Sequence, residues 1–365
     1  RKAILAAIPE ETDYYDAEQL LDFAVLFAKD GDQQSRNAVY NKLQLRNTDA
    51  SPRDTVGLDQ IIQIDGIAGL IHCLEFIGAN PDLLPSHKDD FLIRDTEKIT
   101  SIEEVRLALI EAVKLNPDVA KAVENIEDYS PELSENEIIR MREDRRNRFV
   151  RSNENITEET TWNEVRNDPE FKGLVFRWSQ LASDSEFEKA AFGLDIEADN
   201  MYLRSYLNMF KRRPYPLEPE KLIQLIDHSD EVVVWRALSD LEIVKHPDVR
   251  ALHKRLVNHP ALSYRAAGLL RSNYIAGDDK AITGLLENET DQDNLHVLCI
   301  DINQVYEENP LTEGIEPLLL VYEKTPCSMC RCTCTETLQS ITELPVWMFE
   351  ECRYDSYSET RKLAG

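Results

Sequence analysis

Apolar residues in the first third of the chain recur at three- and four-residue spacing in separate blocks, and strand-like alternation is not sustained anywhere. Asp16 to Lys29 and Asp32 to Leu43 read as an antiparallel helix pair around Leu20, Leu21, Phe23, Ala24 and Phe27. Leu58 to Gly78 is apolar, and Asp65-Gly66 is expected to break it into two helices. Ser101 to Leu115 carries Ile102, Val105, Leu107, Leu109, Ile110 and Val113 and reads as one helix. Ser101 and Glu104 have capping-box spacing at its start, and Asn116-Pro117 ends it.

Residues 127–168 change character: an acidic Pro-containing stretch, an Arg-rich helix, then Asn-, Thr- and Glu-rich sequence. The expected organisation is an irregular N-terminal helical domain over 1–126, polar and Arg-rich linking helices over 127–195, and a repeat domain over 196–365. Trp162, Phe171, Phe176 and Trp178 fall near the junction; core packing is the expected role, with an interface cluster as the alternative.

The repeat shows best in two segments. Trp235-Arg236-Ala237 returns as Tyr264-Arg265-Ala266, and weaker echoes follow at Leu203-Arg204, Leu295-His296, Cys330-Arg331 and Thr360-Arg361. The period is about 31 residues, enough for two short helices and two turns. Asp230, Asp291 and Thr325 suit N-caps, and Pro260 and Pro326 suit first turns. Second helices are expected to open at Glu218-Pro219, His246-Pro247 and Leu344-Pro345, with Val249, Leu252, Leu256 and Val257 forming one apolar stripe. A lone helix pair cannot bury both faces, whereas stacked pairs can.

Asp230-Glu231-Val232-Val233-Val234-Trp235-Arg236-Ala237-Leu238 and its echoes resemble HEAT repeats, over roughly residues 196–364. The resemblance implies an all-α fold ending in a right-handed α-solenoid, and a role in protein recognition. Fold alone does not fix function.

Composition narrows the classes. Over 365 residues the chain is 42% hydrophobic and 30% charged, which suits a folded protein. Its formal charge of −27 disfavours general nucleic-acid binding and fits a protein partner of basic character. With 12 glycines there is little material for phosphate-cradling loops. No apolar run approaches the roughly 20 residues needed to cross a bilayer, so no membrane partner is expected. The chain opens on Arg1, so the lack of a signal sequence counts for little. Seven cysteines, four of them between Cys327 and Cys334, fit a reducing, cytoplasmic setting better than a disulfide scaffold.

Candidate chemistry is sparse. Cys327, Cys330 and Cys334 share a helix face, and Cys352 in the next helix could complete a zinc set. Buried thiols packing one repeat is the plainer reading, and thiol redox chemistry is a third. Arg140, Arg142, Arg145, Arg146, Arg148 and Arg151 form either a docking patch or a solvated face paired with Glu137, Glu143 and Asp144. His246, His253 and His259 read as cap and surface residues. No HExxH, GxSxG or Walker A pattern occurs. Paired His-Glu motifs of metal-dependent HEAT-like hydroxylases are also missing. The expectation is therefore a non-enzymatic, cofactor-free scaffold, adaptor or regulator. Arg250, His253 and Lys254 on one second helix are the expected contact residues. Two alternatives stand beside it: an acidic inhibitor of a basic nuclease or toxin, and a zinc- or thiol-dependent switch or unrecognised enzyme around residues 327–334.

Overall fold

The computed structural model describes residues 1–45, 55–127, 129–154, 156–168, 171–196, 198–325 and 327–364, with backbone alone for 145–154 and 171–173. Its described residues form helices, turns and loops, with no strand among them. The chain divides into two compact units, Arg1–Arg148 and Phe149–Gly365. Residues 127–195, expected as linking helices, are divided between these two units at Arg148 and Phe149.

The first unit holds α1 (Lys2–Ala7), α2 (Tyr14–Lys29), α3 (Gln33–Gln44), α4 (Leu58–Asp65), α5 (Ile67–Ala79), α6 (Phe91–Ile99), α7 (Ile102–Leu115) and α8 (Pro117–Glu124). The long helix α9 (Glu135–Glu154) begins in it. Helices α2 and α3 pair as expected, and Asp13 and Asp32 cap them by accepting backbone N–H bonds. Gly66, with φ of 55°, makes the break between α4 and α5. The α7 cap is only half of the expected box: Ser101 Oγ accepts from the Glu104 N–H at 3.2 Å, while the Glu104 carboxylate takes the Ser101 and Thr100 hydroxyls. The core gathers Leu21, Ile61, Leu70, Leu74, Leu109 and Val119, with α5 packed most extensively on α8.

The second unit continues with α10 (Trp162–Asn167), α11 (Phe171–Leu181), α12 (Asp184–Phe192), α13 (Asn200–Leu207), α14 (Glu220–Gln224), α15 (Glu231–Glu242), α16 (Pro247–Leu256), α17 (Asp279–Asn288), α18 (Gln292–Glu308), α19 (Ile315–Lys324), α20 (Ser328–Ile341), α21 (Val346–Cys352) and α22 (Ser358–Leu363). Thr161 and Glu164 form a complete capping box at α10. Trp162 and Trp178 are buried, with ring centroids 5.2 Å apart, which places both in the core; the side chain of Phe171 lies outside the described residues.

Contacts join α13 to α15, α15 to the turns at Ser263–Leu270, those turns to α18, α18 to α20, and α20 to α22. A second series runs from α14 to α16 and from α17 to α19. Asp230 and Asp291 cap α15 and α18, and His246 caps α16 with Pro247 behind it, as the sequence predicts. Cys327, rather than Thr325, stands at the start of α20, where its N–H reaches Thr325 Oγ1 at 3.4 Å. Pro326 lies outside the described residues.

Arginines link neighbouring turns of this chain. Arg204 on α13 reaches the α15 cap Asp230 at 2.5 Å, and Arg250 on α16 reaches the α17 cap Asp278 at 2.7 Å. Arg331 on α20 reaches Asp355, just before α22, at 2.8 Å. Each cation thus holds an acid at the start of a later helix, where a negative group also complements the helix dipole.

Candidate functional site

The segment expected to be a first helix around Tyr264-Arg265 is instead two 3₁₀ turns, Ser263–Arg265 and Gly268–Leu270. Burial of Arg265 goes with the irregular backbone. Its guanidinium donates to both oxygens of Asp301 at 3.1 Å, to Glu242 at 2.6 Å and to Ser239 Oγ at 3.1 Å. Gly268 leaves room for the two acids: a Cβ there would meet Glu242 Oε1 at 2.9 Å and Asp301 Oδ2 at 3.0 Å. Burial raises the carboxyl pKa of both Glu242 and Asp301, against the pull of Arg265. Asp240, also buried, is raised the same way, with Glu242 adding to the effect.

Above this network lies an open groove of about 540 Å³ whose lining includes Val232, Trp235, Leu262, Tyr264 and Arg265. Trp235 is 49% exposed, so this member of the repeat triplet faces solvent. Its ring lies 5.6 Å from the Arg265 guanidinium carbon, a cation–π distance that holds the indole over the ion-pair network. Glu231 and Asn294 also line the groove, as does His259, whose Nδ1 accepts the Ala261 N–H at 3.2 Å. The sequence carried one signal for this groove, the shared position of Trp235 and Tyr264 in the repeat; which face they present was not in the pattern.

The cysteines separate into different environments. His296 on α18 meets Cys327 and Cys330 at the start of α20, their donor atoms all within 4.8 Å of one another. Cys330 Sγ lies 3.6 Å from His296 Nδ1. The Cys327 thiol pKa is lowered, chiefly by its hydrogen bond with Cys330 and also by His296, while that of Cys330 is pushed up by sharing with Cys327. Cys334, by contrast, donates to the Leu318 carbonyl at 2.9 Å, and Cys352 lies 3.6 Å from the Tyr322 hydroxyl. The candidate zinc set of Cys327, Cys330, Cys334 and Cys352 is therefore not brought together: Cys327 and Cys330 meet His296, while Cys334 and Cys352 pack elsewhere. His296 escaped the sequence reading because it comes from a different helix and stands where other repeats carry arginine.

The expected contact residues on α16 also divide. Lys254 is exposed. His253 is not a surface residue: it is 3% exposed, its Nδ1 stands 2.8 Å from the Ala266 carbonyl, and burial lowers its pKa. Arg250 is committed to Asp278 and the Asn273 carbonyl. His246 bonds Glu218 at 2.8 Å besides capping α16. Within the Arg-rich stretch, Arg142 is drawn against Glu97 at 2.7 Å and Asp90 at 3.4 Å, while Arg140 is exposed. The side chains of Arg145, Arg146, Arg148 and Arg151 lie outside the described residues.

Compared with protein-family profiles, curated proteins and solved structures, the chain matches none. Among the described residues no helix is long and apolar enough to cross a membrane.

Proposed function

We propose that the second unit is a HEAT-like right-handed helical array whose groove at Trp235 binds a segment of a partner protein, with no reaction catalysed there. The arginine-to-acid links at Arg204–Asp230 and Arg331–Asp355 support the repeat reading, because each joins a helix of the first series to an acid at the start of a later one. The observation that carries the binding reading is Trp235, half-exposed at the mouth of an open apolar groove whose floor is fixed by buried ion pairs. Exposing a large aromatic in water forgoes hydrophobic stabilisation that a bound apolar side chain would restore.

The occupant we infer is an extended segment with an apolar anchor flanked by lysine or arginine. Glu231 at the groove and the chain's formal charge of −27 give it an electrostatic complement. The role is that of a scaffold, adaptor or regulator in a reducing cytoplasmic setting.

The test begins with capture from lysate by the wild-type chain, at low and high salt. Each captured protein is then purified and its affinity measured against wild type and Trp235→Ala. Loss of at least tenfold in affinity, about 1.4 kcal/mol, with unchanged thermal stability supports the reading. Equal affinity for both chains overturns it. A steep salt dependence with a basic nuclease as partner would identify the inhibitor form of the same recognition.

A further inference from the structure

We propose that His296, Cys327 and Cys330, with Cys299 as the fourth donor, form a binding site for a soft divalent metal ion, zinc above all. The geometry is close to what such an ion requires. Zinc bonds of about 2.3 Å to sulfur and 2.0 Å to nitrogen, set at tetrahedral angles, separate a thiolate from an imidazole nitrogen by about 3.5 Å. Cys330 Sγ and His296 Nδ1 stand at 3.6 Å. Cys327 closes the triangle, its sulfur within 4.8 Å of both.

The donors come from two rigid elements. Cys327 and Cys330 form a CxxC at the start of the 14-residue α20, and His296 and Cys299 form an HxxC on the 17-residue α18. Residues three apart on a helix lie on one face, so His296 and Cys299 share the side of α18 that carries the cluster. Cys299 is buried one turn along α18 from His296, and the Thr325 hydroxyl accepts the Cys327 N–H at 3.4 Å beside it, so a fourth sulfur borders the triangle. Asn303 Nδ2 donates to the Cys330 carbonyl at 3.3 Å and ties the CxxC turn to α18. All three cysteines are buried, which suits a structural ion joining two helices more than one exchanging substrate with solvent. Sulfur and imidazole donors select zinc, or cobalt as its surrogate, over magnesium and calcium. Binding as thiolates sends the remaining thiol protons to solvent.

The experiment uses the full chain, reduced and stripped of metal, titrated with cobalt(II) and read by thiolate-to-cobalt absorption, then displaced by zinc. The expected result is saturation at one cobalt per chain, bleaching on zinc addition, and a rise in thermal stability. Cys330→Ser and His296→Ala should each weaken cobalt binding at least tenfold, and Cys299→Ser should change the ligand-field spectrum, while Cys334→Ser should leave binding intact. Should Cys330→Ser not fold, the wild-type titration and the Cys334→Ser control still decide. A reduced, folded chain without a thiolate-to-cobalt band overturns the proposal, as does a band lost in Cys334→Ser but kept in His296→Ala. Ready conversion of Cys327 and Cys330 to a disulfide by added oxidant, with no metal uptake beforehand, would overturn it in favour of a redox pair.

Discussion

Arg265 Nη1 stands 3.1 Å from both carboxylate oxygens of Asp301, and both side chains are almost wholly buried. The same guanidinium holds Glu242, so one cation faces two acids away from water. Removing it strands both. Arg265→Met is expected to cost about 3–5 kcal/mol at neutral pH. The cost should shrink in acid. Without their cation, Glu242 and Asp301 hold protons in the folded state to higher pH than in the unfolded chain, so the variant loses stability as pH rises above the ordinary carboxylate range. Urea unfolding at pH 5 and pH 8 tests this, and equal penalties at the two values would contradict it.

Gly78 on α5 sits against the backbone of Asp118 on α8, so close that a Cβ would fall 1.8 Å from the Asp118 carbonyl oxygen. Neither helix can yield by rotating a side chain. Gly78→Ala should therefore destabilise the first unit by about 3 kcal/mol, the upper end for overpacking. All four tryptophans lie in the second unit, so their fluorescence reports it separately. Far-UV circular dichroism should show an early transition in urea while the tryptophan midpoint stays in place. A shift of both midpoints together would show that the two units unfold as one.

The helices were legible where local rules suffice. Asp230, Asp291 and His246 cap as their positions predict, and Gly66 breaks the apolar stretch before α5. The repeat around Tyr264 misled, because burying Arg265 between Glu242 and Asp301 depends on residues from two other helices. That long-range demand goes with a short 3₁₀ backbone that periodicity does not register. The same limit hid His296: helix-face arithmetic grouped Cys327, Cys330 and Cys334, whereas the α18–α20 packing chose the histidine. His253 looked like a surface residue, but it is buried together with Val249, Leu252 and Leu256 on α16.

Glu18 on α2 receives a hydrogen bond from Gln60 Nε2 at 2.9 Å, and the same amide also donates to Asp22. Burial raises the Glu18 pKa to about 7, with Asp22 and Asp59 adding to it. The folded state then binds a proton that the unfolded state has released, so stability falls as pH rises from about 4.5 to about 7 and stays reduced above. Glu18→Gln removes this titration. The variant should be more stable than wild type at pH 8 by about 1–2 kcal/mol, discounted for the residue's partial exposure, and should match it near pH 4.5. Thermal melts across that range decide, and a variant whose melting temperature keeps the wild-type pH slope would refute the assignment.

Arg331 on α20 grips Asp355 at 2.8 Å, and Asp355 in turn accepts the Tyr357 N–H at 2.8 Å where α22 begins. Arg361, one turn into α22, donates back to the Ser356 carbonyl at 2.8 Å, so the connection between α21 and α22 is held from both sides. Arg331→Met leaves Asp355 buried without its cation, and the loss should be local. On the repeat reading proposed above each turn is stabilised by its neighbours, and α22 lies at the end of the contact series running through α18 and α20. The expected cost is about 1.5–3 kcal/mol, the range for a hydrogen bond to a charged group. Amide exchange over residues 353–364 should accelerate while α13 to α18 keep wild-type protection. If exchange instead rises uniformly through the second unit, Arg331 supports the whole core and the turn-by-turn reading of this half of the chain fails.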